Sequence, residues 1–182
     1  MIQVVGTTQL SFMFPAPRPT AYAYYLDMQR IARSLPHIQF ISANADHSYR
    51  LAYNTIELGA YHIRIICDVQ AEVDTTWQML RFLPIEQNPP VATQSGFNSA
   101  TARGYYYSAS RFFDEGSQTR IEYQLDLKAD LPTPLALRVV PEKVLNKISY
   151  SITNWRIKEI AGGFIEDSIA RFPQWQQEMS GS

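Results

Sequence analysis

The alternation of apolar and polar positions predicts the first element between Thr8 and Phe14. There Leu10, Phe12 and Phe14 are interleaved with Gln9, Ser11 and Met13, the period of a strand with one buried face. Pro15, Pro17 and Pro19 stop it. From Thr20 to Ser34 the spacing turns helical, with Tyr22, Tyr25, Leu26, Ile31 and Leu35 in phase. Asp27 is placed to cap a second short helix, because its carboxylate can accept backbone N–H groups that have no partner in the first turn. Pro36 ends this helical pair.

Strand-like segments follow. Ile38 to Ala43 is one, and Asp46-His47 turns the chain. Tyr49, Leu51 and Tyr53 then alternate with Arg50 and Asn54 up to a turn at Gly59. Tyr61, Ile63, Ile65 and Val69 alternate with His62, Arg64 and Asp68, and Trp77 to Leu83 is a further strand. Pro84 to Gly96 carries Pro89-Pro90 and reads as a loop. Thr101 to Phe113 is a long aromatic strand, and Asp114-Glu115-Gly116-Ser117 is the hairpin turn that returns it. Ile121, Tyr123, Leu125 and Leu127 form the inner face of the partner strand, with Arg120, Glu122, Gln124, Asp126 and Lys128 outside. In the strand from Thr101, Ala102, Gly104, Tyr106, Ser108 and Phe112 make an uncharged face, against a charged aromatic one of Arg103, Tyr105, Tyr107 and Arg111. The uncharged face is assigned inward, since an unpaired buried arginine is costly. The opposite choice would need the arginines to extend along a cavity mouth.

After Pro132 and Pro134 the pattern becomes helical, with Pro141 suited to a first helical position and Glu142 to the positive end of the dipole. Leu145, Ile148, Ile152 and Trp155 begin an apolar stripe that Ile160, Phe164, Ile165, Ile169 and Phe172 continue. Gly162-Gly163 interrupts it, implying a bend or a close approach of the sheet backbone, and Pro173 is read as its end. The expectation is one α+β domain over 1–182, with a core of about 7–173 and a tail of 174–182: a curved antiparallel sheet gripping one long C-terminal helix.

Composition narrows the function. A net charge of −1 without a basic run argues against nucleic acid. The first fourteen residues lack signal-peptide character, and no run approaches the ~20 apolar residues of a membrane span. Cys67 is the only cysteine, which excludes an internal disulfide and fits a reducing cytosol. Aromatic residues make up 13% of the chain, mostly tyrosine, which suits half-wet cavities as well as strand packing.

The order of elements, together with Pro19 to Asp27, Ile31 to Pro36 and Tyr49 to Leu51, resembles the START-like helix-grip (SRPBCC) superfamily, which includes Bet v 1-type and polyketide-cyclase-type domains. Asp130 to Leu135, Val140 to Glu142 and the helix from Val144 to Phe172 are similar to the DUF1997 family of cyanobacteria and plastids. That resemblance implies a fold and brings no catalytic residues.

No catalytic constellation stands out. His37, His47 and His62 lack partners at metal-ligand spacing, so no metal or other cofactor is expected. Cys67 and His62 have opposite strand parity, which makes Cys67 a buried spectator. Glu57, Asp68, Glu72 and Asp74 read as solvated charges. The tyrosines remain. Tyr49, Tyr53, Tyr106, Tyr123 and Trp155 are the candidate lining of a cavity between sheet and helix, which would hold an apolar or amphipathic molecule such as a lipid, pigment or isoprenoid. Core filling is the competing reading for the same rings. Two other functions compete: an assembly factor that meets a protein partner through its outer surface, and a cyclase-type enzyme. Oligomeric state is not encoded in any recognisable pattern.

Overall fold

The computed structural model describes residues 1–27, 30–31, 35–44 and 46–181. Its strands are β1 (Ile2–Phe14), β2 (Ile38–Ala43), β3 (Ser48–Glu57), β4 (Tyr61–Asp74), β5 (Met79–Pro84), β6 (Gln94–Ser95), β7 (Ser99–Glu115) and β8 (Gln118–Leu131). Helix α1 spans Arg18–Leu26, a single 3-10 turn spans Leu135–Leu137, and α2 spans Glu142–Ser180. The second short helix expected up to Ser34 falls mostly outside the described residues. Arg30 and Ile31 are helical, and the Asp27 carboxylate accepts the Arg30 backbone N–H at 3.0 Å, as a cap does.

The strands form one sheet in the order β1-β8-β7-β5-β4-β3-β2, with β6 added beside β7. Every pairing is antiparallel except one. Short β5 separates β4 from β7 along Val69–Asp74, and below it His62–Cys67 of β4 pairs in parallel with Ser99–Gly104 of β7. The odd-numbered face of β8 is buried from Thr119 to Leu131, as its alternation requires. On β7 the uncharged set is the buried one, Tyr106, Ser108 and Phe112 included. Trp77 does not join β5; it sits in the preceding turn, 75% exposed. Strand β1 starts six residues earlier than expected. Its inner face continues through Ile2, Val4, Gly6 and Thr8, where the glycine and threonine hide the apolar rhythm.

Helix α2 crosses the inner face of the sheet and fastens to the edge strand β1. Asn146 Oδ1 accepts the Gln3 N–H at 3.0 Å, and the Ser149 hydroxyl donates to the Gln3 carbonyl at 2.8 Å. These bonds occupy backbone groups that an edge strand otherwise leaves open. The approach is close at Gly6, where a Cβ would stand 2.9 Å from Thr153 Cγ2.

The inward stripe of α2 differs from the expected one. Its buried positions are Leu145, Thr153, Ile157, Ile160, Ala161, Phe164, Ser168, Phe172 and Trp175. Ile148 is 38% exposed and Trp155 57% exposed. Trp155 precedes buried Ile157 by two residues, about 200° around a helix, so it faces solvent. Small and polar residues at Ser149, Thr153 and Ser168 hold the inward phase, which an apolar tally passes over. Pro173 does not end the helix either. Residues 174–180 are helical, and Trp175 stacks on Phe172 and meets Tyr24 edge-on at 5.3 Å. That burial offsets the one backbone hydrogen bond a proline removes. Of the expected tail, Trp175 therefore packs into the core, while residues 174 and 176–181 are exposed.

The Gly162-Gly163 pair lies within continuous helix. The close approach is made by the ring of Pro36, whose Cγ would be 2.6 Å from a Cβ at Gly163, and the sheet backbone takes no part.

Candidate ligand cavity

The two ends of the grip are packed differently. At the C-terminal end of α2, Phe14, Tyr24, Tyr25, Phe164, Phe172 and Trp175 interlock with ring centroids 4.7–6.1 Å apart. Both tyrosine hydroxyls are satisfied on Ser168, Tyr24 donating to its carbonyl at 2.8 Å and Tyr25 sharing its hydroxyl at 2.7 Å. That end is filled. At the other end, the N-terminal half of α2 stands over β3, β4, β7 and β8 with a cavity of about 350 Å³ between them. Its wall is largely aliphatic, with Ile65, Leu125 and Leu127 from the sheet facing Leu145, Ile152 and Ile157 from the helix. Leu58 and Ile148 line it and are themselves 62% and 38% exposed, so the cavity reaches the surface between the β3–β4 turn and the first turns of α2.

The five candidate residues separate on this geometry. Tyr53 and Tyr106 lie on the cavity wall. Tyr123 is buried behind Tyr106, its hydroxyl 3.4 Å from the Tyr106 hydroxyl and its ring 5.2 Å from Phe164. It belongs to the partition between cavity and aromatic core, beside a separate void of about 30 Å³. Tyr49 is buried between Phe40 and Phe82, away from the cavity. Trp155 is on the outer face of α2, its ring under the Arg156 guanidinium at 4.4 Å.

Two residues that line the cavity escaped the sequence reading. Glu57 and Arg156 are the only charged side chains on its wall among the described residues. They pair at 2.9 Å, with 15% and 16% of their side chains exposed. Glu57 Oε1 also accepts the Thr55 hydroxyl at 2.9 Å, and Arg156 donates to Glu159 at 2.7 Å. His37 stands 3.5 Å from that same Glu159 oxygen. The reading of Glu57 and Asp68 as solvated charges is therefore overturned. Asp68 is also buried, on the outer face of the sheet, and held by Arg50 at 2.6 Å under the loop at Gln87 and Pro89. For Glu57 a signal existed: it shares parity with Leu51, Tyr53 and Thr55 on β3.

Burial sets the protonation of the wall. It pushes the Tyr53 phenol up to about 12, against a hydrogen bond from Thr55 that favours ionisation and with the Glu57 charge adding to the rise. The Cys67 thiol is pushed up to about 12 by burial first and the Asp68 charge second. Burial likewise raises Tyr106. Burial opposes the charge on Arg156, but the Glu57 and Glu159 carboxylates together outweigh it and hold its pKa above the usual arginine value. At neutral pH the phenols and the thiol are thus uncharged, and the one carboxylate on the wall is paired with a guanidinium that it shares with Glu159.

A scan against protein-family models finds no match to this sequence, and a search of curated proteins finds none either. Solved structures do match. Over 93% of its length the chain is similar to 94% of the Zhui aromatase/cyclase of Streptomyces sp. R1128, at 7% identity and a TM-score of 0.56. Over 94% it is similar to 66% of human STARD10, at 11% identity and a TM-score of 0.54. Over 97% it is similar to 99% of a norcoclaurine synthase from Thalictrum flavum, at 10% identity and a TM-score of 0.53. The fold is the START/Bet v 1-like helix grip. At such identities a helix-grip likeness establishes architecture, and function has to be argued from this chain's own site. No described helix is long and apolar enough to cross a membrane.

Proposed function

We propose that the protein binds an apolar or amphipathic small molecule in the cavity between the sheet and the N-terminal half of α2. The observation that carries this reading is the contrast within one grip, where one end is closed by six interlocked rings and the other is hollow. Native interiors are close-packed and have few voids larger than a water molecule. A volume of about 350 Å³ lies within the range of small-molecule sites, and such sites share its aliphatic walls and few polar groups. Tyr53 and Tyr106 contribute amphipathic walls to this proposed site, and lipids, pigments and isoprenoids have the matching chemistry. A cyclase-type activity is less well supported, since the phenols and thiol on the wall are held uncharged and Glu57 is bound to Arg156. The kinship to DUF1997 proteins of cyanobacteria and plastids is part of the proposal and rests on the residues that enter α2. Native mass spectrometry of protein purified without detergent tests the reading. The expected result is a population heavier than the chain by one small molecule, which organic extraction removes. A single species at the bare chain mass, unchanged on adding excess lipid, would refute it.

A further inference from the structure

We infer that the polar end of the bound molecule is an uncharged hydroxyl, and that Glu57 and Arg156 recognise it together. This rests on the binding reading above and narrows it to a long-chain or isoprenoid alcohol in place of a carboxylic acid.

The argument is an inventory of charge and of unused hydrogen-bonding atoms. An amphipathic molecule in this cavity must place its polar end where the wall is polar, and the charged part of the wall is the Glu57–Arg156 pair. Glu57 Oε1 is doubly engaged, by Arg156 Nε and the Thr55 hydroxyl, both at 2.9 Å. No described residue donates to Glu57 Oε2, so one acceptor remains. Arg156 spends Nε on Glu57 and Nη1 on Glu159, and no described carboxylate or carbonyl takes Nη2, so that nitrogen keeps its donors. An acceptor and a donor on paired side chains match a group that donates once and accepts once, which is what a hydroxyl does.

Charge separates the hydroxyl from a carboxylate. The guanidinium is shared between two carboxylates, Glu57 and Glu159, so the one positive charge of Arg156 is divided between two negative ones. A fatty-acid carboxylate placed there would meet a like charge across Glu57 in a poorly solvated site, and like charges that close are strongly disfavoured. It could use Nη2, yet it would leave Glu57 Oε2 unpaired and repelled. The hydroxyl carries no charge and satisfies both atoms.

The test is displacement of an environment-sensitive fluorescent probe from the full chain at pH 8, with dodecanol and dodecanoate as chain-matched competitors. The acid is fully ionised at that pH. The expected result is that dodecanol displaces the probe at about tenfold lower concentration than dodecanoate, a ratio between those set by two like charges about 4 Å apart in water and near a protein surface. Glu57→Gln removes the repelling charge and should narrow that ratio by improving dodecanoate. Equal displacement by the two, or a preference for dodecanoate, would overturn the hydroxyl assignment while leaving ligand binding intact. Failure of the probe and both competitors to bind at all would overturn the binding reading itself. The wild-type comparison decides the matter even if Glu57→Gln does not fold.

Discussion

Alanine at Gly162 and alanine at Gly163 should move stability in opposite directions, though the two positions are adjacent in one helix. Each replacement gains about 1 kcal/mol from helix propensity, partly by restricting the unfolded chain. At Gly162 nothing lies within 4 Å of the new methyl, so the full gain should appear. For a domain of this size it corresponds to a rise of about 2–4 °C in Tm. At Gly163 the methyl would fall 2.6 Å from Pro36 Cγ, with Cδ and Cβ of the same ring at 3.6 and 3.9 Å. A proline ring cannot swing aside, and the turn that carries it is tied by the Ile38 N–H to the Leu35 carbonyl at 3.2 Å. Either the helix or that turn must shift, and such overpacking costs about 1–3 kcal/mol. Because both variants gain the same propensity, the difference between them isolates the steric cost. Urea melts of the two single variants should therefore differ by about 1–3 kcal/mol, with Gly162→Ala the more stable. Equal stabilisation would refute the contact between α2 and Pro36.

Three further outcomes follow from the packing. Ile157→Asp buries an unpaired carboxylate at a position 1% exposed and should cost about 3 kcal/mol or more, whereas Ile148→Asp at the cavity rim should cost much less; similar melts for both would contradict the helix phase. Trp175→Ala should destabilise by about 3 kcal/mol in the same assay, a loss that a disordered tail could not produce. Tyr53 has its folded-state pKa raised to about 12, so its contribution to stability is complete below the unfolded tyrosine value of about 10 and is lost as pH rises through 12. Its absence from the phenolate absorbance at pH 11 in wild type, compared with Tyr53→Phe, checks this; a difference between the two at that pH would contradict the burial of Tyr53.

The fold was legible where a strand has one wet face. Ile121 to Leu127 follow from alternation, the inward side of β7 from the cost of burying Arg103 and Arg111, and the start of the last helix from Pro141 and Glu142. What escaped detection shares a physical origin: inward positions occupied by small or polar residues. Thr153 and Ser168 hold the inner face of α2, so a count of large apolar residues rotated the stripe toward Trp155. Gly6 and Thr8 concealed the first half of β1 for the same reason. Glu57 and Asp68 are buried because arginines far along the chain, Arg156 and Arg50, reach them, and no local pattern encodes such a partner. Pro173 stays helical because Trp175, two residues on, finds Tyr24, a contact that joins the two ends of the chain. As for the candidate site, strand parity brought Tyr53 and Tyr106 to the cavity, but parity fixes a face and not a position along the strand. Tyr49 and Tyr123 share the inward face and are buried in packed regions beside the hollow.

The most direct test of the account is titration of an environment-sensitive fluorescent probe into the purified chain and into Tyr106→Trp. The account predicts saturable binding of one probe per chain, weakened at least tenfold by the larger ring at 106 while the Tm stays within a few degrees. Absence of saturable binding to the wild type, or binding untouched by Tyr106→Trp, would contradict the claim that the hollow end of the grip is a ligand site.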